Sequence, residues 1–149
     1  KGGVIMKLEL NIDEKVKETL VVVNANKVDK EVQNLINYIE YSSDYLIGIV
    51  EDKASIIDID EIIRVYIEDR KTFVVTAKDT YVVKKKLYEV ESMVTRNFIK
   101  ISQSEIANIR FIKNLDFSNT GTIVIKYKNS DISYVSRRMI KEFKLKLGI

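Results

Sequence analysis

Short β-type runs separated by turn residues constrain the fold of this chain more than any other feature. Between residues 54 and 135 the sequence repeats runs of four to six residues rich in Val, Ile, Thr, Tyr and Phe, with Asp, Asn, Ser or Lys between them. The chain has no proline, so these turns depend on Gly, Asn, Asp and Ser. Regular turns between short strands predict an antiparallel sheet.

The predicted strands of this region cover residues 55–59, 63–68, 72–77, 80–83, 98–101, 109–115, 122–127 and 132–135. A short helix is predicted from Leu87 to Val94, where apolar residues share one helical face. A terminal helix is predicted from Met139 to Leu147, with Ser136 as a candidate N-cap. Residues 104–108 fit neither pattern.

The first fifty residues carry a different pattern. Alternating apolar residues predict a strand over 7–12, and an apolar run predicts a second over 20–23. Apolar spacings of three and four predict a helix over 28–39, with Asp29 as N-cap and Ser42-Ser43 at its end. Residues 45–50 look like a strand. Setting residues 1–5 aside because Met6 is a candidate start, we expect a small α/β layer over 1–50 that serves dimerisation or regulation, followed by a mainly β region over 51–149.

Several classes of chemistry are excluded by composition. The 149 residues include no cysteine and no histidine, so disulfides, thiolate or imidazole metal sites and Cys- or His-based catalysis are ruled out. We expect no metal, no cofactor and no small-molecule substrate. No apolar run approaches the ~18–20 residues that cross a bilayer, and nothing resembles a signal peptide. We therefore expect a cytoplasmic protein.

Charge is distributed unevenly along the chain. Residues 1–50 have 6 basic and 8 acidic side chains, a net charge of −2, whereas residues 81–149 have 14 basic and 6 acidic ones, a net charge of +8. A basic C-terminal region favours an anionic partner such as a phosphate backbone. The alternative is a solvated, lysine-rich surface.

Four segments in order carry a resemblance to a known family. They are DEIIRVYIEDRK over residues 60–71, YVVKKKLYEV over 81–90, NFIKISQSEIANI over 97–109 and YVSRRMIKEF over 134–143. Together they resemble the LytTR family of bacterial DNA-binding regulators over about residues 56–147. The resemblance implies a mainly β fold of stacked antiparallel sheets with short helices. It also implies a transcription regulator that binds double-stranded DNA as a homodimer on paired short repeats, with loops entering successive major grooves.

The N-terminal fifty residues are too short for the receiver domain that many members carry. The chain instead resembles a short-form subgroup of the family. Members of that subgroup are often encoded beside a small membrane protein that restrains them, so the resemblance implies such a partner here.

The resemblance also places DNA contacts in three loops. The first loop follows the strand ending at Glu68 and holds Arg70 and Lys71. Arginine can donate two hydrogen bonds to guanine, and lysine can reach a base or a phosphate. The alternative is an exposed hairpin tip that is merely polar.

The second loop lies in the third segment. There Lys100 would neutralise a phosphate, Ser102 and Ser104 would donate to phosphate oxygens, and Gln103 would recognise adenine. Many relatives have Asn or another residue where this chain has Gln103, so the base preference stays open. The alternative is that these polar groups cap a turn.

The third loop precedes the last helix. In the family an arginine there reaches DNA, and Arg138 is the closer match, with Arg137 as the other candidate. Backbone N–H groups at the helix start can also bind phosphate. The alternative is helix capping with solvated charge. Lys84, Lys85 and Lys86 are candidate phosphate contacts at the flank of the site, or a solvated run.

Two other functions stay open at this point. The chain could be a protein-interaction module, a regulatory partner-binding protein without DNA specificity of its own. It could also be an enzyme with Mg²⁺ on its acidic clusters, formed by Asp58, Asp60, Glu61, Glu68 and Asp69. Acidic residues scattered over alternating strands usually face solvent, however, and no phosphate-binding loop or nucleophile motif accompanies them. We therefore expect no enzymatic activity.

Overall fold

The computed structural model describes residues 6–40, 45–94 and 97–149, and the chain divides into two units between residues 36 and 37. Residues 6–29 form neither helix nor strand, and helix α1 (Lys30–Glu40), which includes the boundary between the two units, follows. The Asp29 carboxylate accepts the N–H of Val32 at 2.9 Å. This bond confirms the predicted helix and its N-cap. The predicted helix end at Ser42-Ser43 lies outside the described residues.

The two strands predicted over residues 7–12 and 20–23 are wrong for the single chain. Both segments lack strand structure, and their apolar side chains are exposed. A strand exists only when a second strand pairs with its backbone, and no described residue pairs with either segment. The strand predicted over 45–50 does form, but it pairs within the second unit rather than with an N-terminal layer.

A seven-stranded antiparallel sheet dominates the second unit, in the order β2-β1-β5-β4-β3-β7-β6. Its strands are β1 (Tyr45–Val50), β2 (Lys53–Asp58), β3 (Arg64–Glu68), β4 (Lys71–Val75), β5 (Thr80–Val83), β6 (Phe98–Ser102) and β7 (Glu105–Asn108). The stretch 104–108, which fitted neither pattern, is largely β7. The remaining strands of this sheet lie where the turn signals predict them.

A three-stranded antiparallel sheet, in the order β10-β9-β8, forms a second layer. It consists of β8 (Ile112–Asp116), β9 (Ile123–Tyr127) and β10 (Ile132–Val135). The strand predicted from residue 109 begins three residues late, because the Asn108 carboxamide oxygen accepts the N–H of Arg110 at 3.0 Å and opens a 3-10 turn over Ile109–Phe111. Two short helices complete the unit, α2 (Leu87–Met93) and α3 (Ile140–Leu147).

Both faces of the central strands of the large sheet are largely buried, whereas Ile47 of β1 and Ile56 of β2 are exposed. One core joins Val65 and Val74 to Val90 of α2, all at 0% exposure. The other joins Ile101 of the large sheet to Ile125 of the small sheet and Phe143 of α3, also at 0% exposure. Full burial of such side chains contributes about 1.5–3 kcal/mol each. The resulting stack of sheets with short helices confirms the predicted fold class.

Candidate nucleic-acid interface

Strand register brings the first loop and the lysine run to one end of the large sheet. Glu68, the last residue of β3, pairs with Lys71, the first residue of β4. Thr72 then pairs with Val83, the last residue of β5. The β3–β4 turn and the run that begins at Lys84 therefore project from the same end.

The second loop lies at that end as well. The backbone N–H of Ile67, near the end of β3, donates to the Ser104 carbonyl at 2.9 Å. Ser102 at the end of β6 pairs with Glu105 at the start of β7, so the β6–β7 turn consists of Gln103 and Ser104. The two hairpin turns are thus direct neighbours.

The third loop is tied to the same end by one backbone hydrogen bond. The N–H of Ser136 donates to the carbonyl of Ile101 in β6 at 2.8 Å. A 3-10 turn over Arg137–Met139 follows and leads into α3. The structure therefore brings all the sequence-predicted site residues to one end of the molecule.

The β3–β4 turn holds its arginine in an unusual backbone conformation. Asp69 and Arg70 have φ of 50° and 65°, the left-handed region that two-residue hairpins require at both central positions. Glycine is the usual second residue, because a Cβ is unfavourable there. Arg70 and Lys71 are both exposed. The β1–β2 turn has the same conformation at Glu51 and Asp52, so what distinguishes Arg70 is its exposed guanidinium at this end of the sheet.

The β6–β7 turn settles part of the capping question. The Ser102 hydroxyl accepts the N–H of Ser104 at 3.2 Å, and the two hydroxyls are 3.4 Å apart. Ser102 therefore does cap the turn, as the alternative interpretation required. Gln103 is exposed and has no hydrogen bond to another described residue. Lys100 is half-buried, opposite Ile106 and set back from the turn.

Around Ser136 the structure departs from the predicted cap. Its side chain makes no capping hydrogen bond, and it precedes a 3-10 turn rather than the helix itself. Arg137 and Arg138 are both exposed. The Arg137 guanidinium lies against the β8–β9 loop, where a Cβ built on Gly121 would come within 2.9 Å of Nη2. Arg138 forms no ion pair with another described residue.

Lysines 84–86 leave β5 and enter α2, and all three are exposed. The backbone N–H of Lys86 donates to Glu89 Oε1 at 3.0 Å, which fixes the start of the helix. This bond uses the main chain of Lys86 and the side chain of Glu89, and it leaves the ammonium group of Lys86 without a partner in it.

Eight cationic side chains make up what we call the cationic end: Arg70, Lys71, Lys84, Lys85, Lys86, Lys100, Arg137 and Arg138. Within the described residues, both ion pairs closer than 4.0 Å belong to Arg64, so none of these eight cations is paired. The acidic side chains at this end are fewer: Glu68, Asp69, Glu89 and Glu105, the last of which is paired with Arg64. The cationic end therefore presents a net positive surface to any anionic ligand.

A polar network behind the cationic end was missed by the sequence analysis. Arg64 Nη1 lies 3.2 Å from Glu105 Oε2, and Arg64 Nε donates to Asp131 Oδ2 at 3.0 Å. The Ser133 hydroxyl also donates to Glu105. Glu105, which directly follows the Gln103 turn, is thereby bound to β10, the strand that leads to Arg138. No local pattern predicts this network, because Arg64 is 41 residues from Glu105 and 67 from Asp131 in sequence.

Burial shapes the ionisation of this network. Burial alone would lower the pKa of Arg64, but the hydrogen bond to Asp131 and the charge of Glu105 outweigh it, and the net pKa is raised. Arg64 also lies 4.5 Å from the centre of the Tyr66 ring. Nearby, burial raises the pKa of the Tyr127 phenol well above its ordinary value. Arg64 therefore stays charged and holds the two sheets in a fixed arrangement.

Across residues 6–40, 45–94 and 97–149, no group of three or more Asp, Glu, His or Cys side chains is placed to hold a metal ion. A separate search of the same residues finds no helix with the length and apolar character that crossing a bilayer requires.

Comparison with known proteins identifies the family. The LytTr DNA-binding domain model matches residues 52–148. Uncharacterized HTH-type transcriptional regulators of Staphylococcus aureus strains MSSA476 and MRSA252 are each 31% identical over 147 residues, which is 97% of this chain and 100% of theirs. A solved LytTr DNA-binding domain from a Bacillus cereus methyl-accepting/DNA response regulator superposes with a TM-score of 0.69 at 22% identity, covering 72% of this chain and 99% of that one. The chain belongs to the LytTR family of DNA-binding domains.

The name of the Staphylococcus relatives refers to a helix-turn-helix, and the described part of this chain contains none. Its helices α2 and α3 are separated by five strands rather than by a short turn.

Proposed function

We propose that the chain is a sequence-specific transcription regulator that binds double-stranded DNA with its cationic end. The main observation in support is that eight unpaired cations and the exposed Gln103 lie together at one end of a LytTr fold. These residues come from four separate segments of the chain. Scattered solvated lysines would not converge in this way. The names of the matched family and of the Staphylococcus relatives support the same function.

The dimensions of the cationic end fit a DNA groove. Strands β5, β4, β3, β7 and β6 are successive neighbours, so at ~4.8 Å per strand the end spans about 19 Å. The major groove is ~12 Å wide, so one end covers a groove and its flanking phosphates. Arg70, Gln103 and Arg138 contact base edges, while lysines 84–86 and Lys100 neutralise phosphates.

One such end covers only a few base pairs. Two copies bound to short repeats about one helical turn (~34–36 Å) apart would enter successive major grooves from one face of the DNA. The homodimer is therefore part of the proposed function. Restraint by a small membrane protein encoded nearby, which the resemblance implies, stays a prediction.

The test compares two exposed arginines, each within a 3-10 turn. Arg138 lies at the cationic end, whereas Arg110 follows β7 at the opposite end. With an operator selected from a random duplex library, Arg138→Ala is expected to weaken binding by about 1–3 kcal/mol and to relax one base position. Arg110→Ala is expected to bind like the wild type. Equal affinities for the two variants would contradict the assignment.

The alternative function is a protein-interaction module without DNA specificity, and the exposed apolar side chains of residues 6–23 favour it. The salt dependence of duplex affinity distinguishes a DNA-binding regulator from a protein-interaction module. A DNA-binding protein loses affinity steeply as salt rises, with a slope of about −0.9 per phosphate contact. A duplex affinity that is weak at every salt concentration would favour the interaction module.

A further inference from the structure

The N-terminal segment has a strand pattern but no strand partner in its own chain. Leu8, Leu10 and Ile12 occupy one face of the alternating stretch and are 82%, 75% and 86% exposed. The polar residues Lys7, Glu9 and Asn11 occupy the other face. Residues 20–23, apolar at every position, are also exposed, although such a run is typical of a strand covered on both faces.

The exposed apolar area is what a dimer interface needs. Burying a Leu, Ile or Val side chain is worth about 1.5–3 kcal/mol, which corresponds to roughly 60–120 Å² each. The seven exposed apolar residues of these two stretches therefore present roughly 400–800 Å² per chain. A stable interface buries about 800 Å² per partner. A surface of this size, left exposed, indicates an interaction site.

The sequence of the segment is complementary to itself. In an antiparallel pair of two copies with Leu10 on the two-fold axis, Leu8 lies opposite Ile12 of the other copy. The same register places Lys7 opposite Asp13 at both ends of the pair. Directly opposed residues share a face, so six apolar side chains meet on one side, and two opposite-charge pairs close the ends.

We propose that residues 7–12 and 20–23 become strands only in a homodimer, where residues 7–12 pair antiparallel across a two-fold axis at Leu10. The interface is isologous, since each copy offers the same surface. The inference specifies the dimer of the proposed function, and it can be tested without DNA.

The first experiment compares two charged substitutions in the full chain by sedimentation equilibrium. Leu10 and Asn11 are neighbours and both are exposed in the single chain, so a monomer would tolerate Leu10→Asp and Asn11→Lys equally. The wild type and Asn11→Lys are expected to be dimers of the 17.3 kDa chain, because the register places residue 11 opposite Glu9 of the other copy. Leu10→Asp is expected to raise the dissociation constant about 100-fold or more, because each dimer loses two leucines from its interface. A monomeric wild type, or the same mass for both variants, overturns the proposal.

A second experiment uses the absence of cysteine from the chain. A variant with a single cysteine can form a disulfide only between two copies. Leu10→Cys faces itself across the axis within the ~4.4–6.8 Å that a disulfide spans, whereas Asn11→Cys faces its counterpart diagonally at about 7–8 Å. Rapid oxidation of Leu10→Cys to a dimer, with Asn11→Cys slow, is expected. Equal rates overturn the register and the proposal.

The two proposals fail separately. A protein that is dimeric and cross-links through Leu10→Cys but ignores DNA would refute the proposed function and leave this interface standing. A monomer that binds a single repeat would refute the interface and leave DNA recognition standing.

Discussion

The first unit (residues 1–36, called here the N-terminal unit) and the second unit (residues 37–149, called here the two-sheet unit) contain the same kind of strand pattern. The pattern forms paired strands in the two-sheet unit but not in the N-terminal unit. In the second unit every patterned run finds a neighbouring strand of the same chain, and both faces of the central strands of the large sheet are largely buried. In residues 6–23 equally patterned runs stay unpaired and exposed. Alternation therefore shows that a segment has a face to bury, but it does not say which chain supplies the partner.

The largest contrast between the units should be in stability. Phe143 is fully buried in the core between the sheets, whereas Leu20 is 81% exposed. Phe143→Ala is expected to lower the free energy of unfolding of the two-sheet unit by about 3–5 kcal/mol, because it leaves a cavity. Leu20→Ala is expected to change it by less than about 0.5 kcal/mol. Urea titration followed by tyrosine fluorescence measures both, and a large loss for Leu20→Ala would show that residue 20 packs on this unit.

A smaller contrast concerns two glutamates. Glu105 is bound to Arg64 and Ser133, and its side chain is 17% exposed, whereas Glu18 is exposed in the N-terminal unit. Glu105→Gln is expected to cost about 1–3 kcal/mol of stability, because Arg64 loses a charged partner. It should also weaken operator binding, since the Gln103 turn is no longer held against β10. Thermal unfolding and duplex titration test this, with Glu18→Gln as the control; an unchanged affinity for Glu105→Gln would separate the network from DNA binding.

The smallest expected change in stability concerns two turns of the two-sheet unit, and it distinguishes a turn that serves only folding from one that also binds DNA. Arg70 and Asp52 are each the second residue of a two-residue turn with positive φ. Glycine relieves the backbone cost at either site, so Arg70→Gly and Asp52→Gly are each expected to stabilise the protein by about 0.5–1 kcal/mol. Only Arg70→Gly should weaken DNA binding. Loss of stability in Arg70→Gly, or unimpaired operator binding, would mean that Arg70 serves the fold rather than DNA.

Much of the two-sheet unit could be predicted because its signals are local. The turn residues mark the ends of strands, and the hairpin at Asp69-Arg70 follows from polar residues between two β-type runs. The predicted loops meet at one end because antiparallel hairpins alternate their turns between the two ends of a sheet. The network of Arg64, Glu105 and Asp131 could not be predicted from the sequence, because only the stacking of the two sheets brings these three residues together.

The N-terminal strands were mispredicted within one chain for a related reason. Periodicity records the preference of Leu8, Leu10 and Ile12 for one face, but strand formation also requires a backbone partner. The 3-10 turns that replace the expected start of β8 and the expected cap at Ser136 depend on hydrogen bonds of Asn108 and of the Ser136 main chain. Whether such a segment forms a 3-10 turn, a strand or a helix start cannot be predicted from its composition.

We propose that the N-terminal segment forms the dimer and that the cationic end binds DNA. The most direct test of this claim is selection from a random duplex library with the wild type and with Leu10→Asp in parallel. We predict that the wild type enriches paired short repeats about one helical turn apart, and that Leu10→Asp enriches a single copy of the same repeat. Recovery of the same paired repeats by both proteins, or no enriched sequence from either, would contradict it.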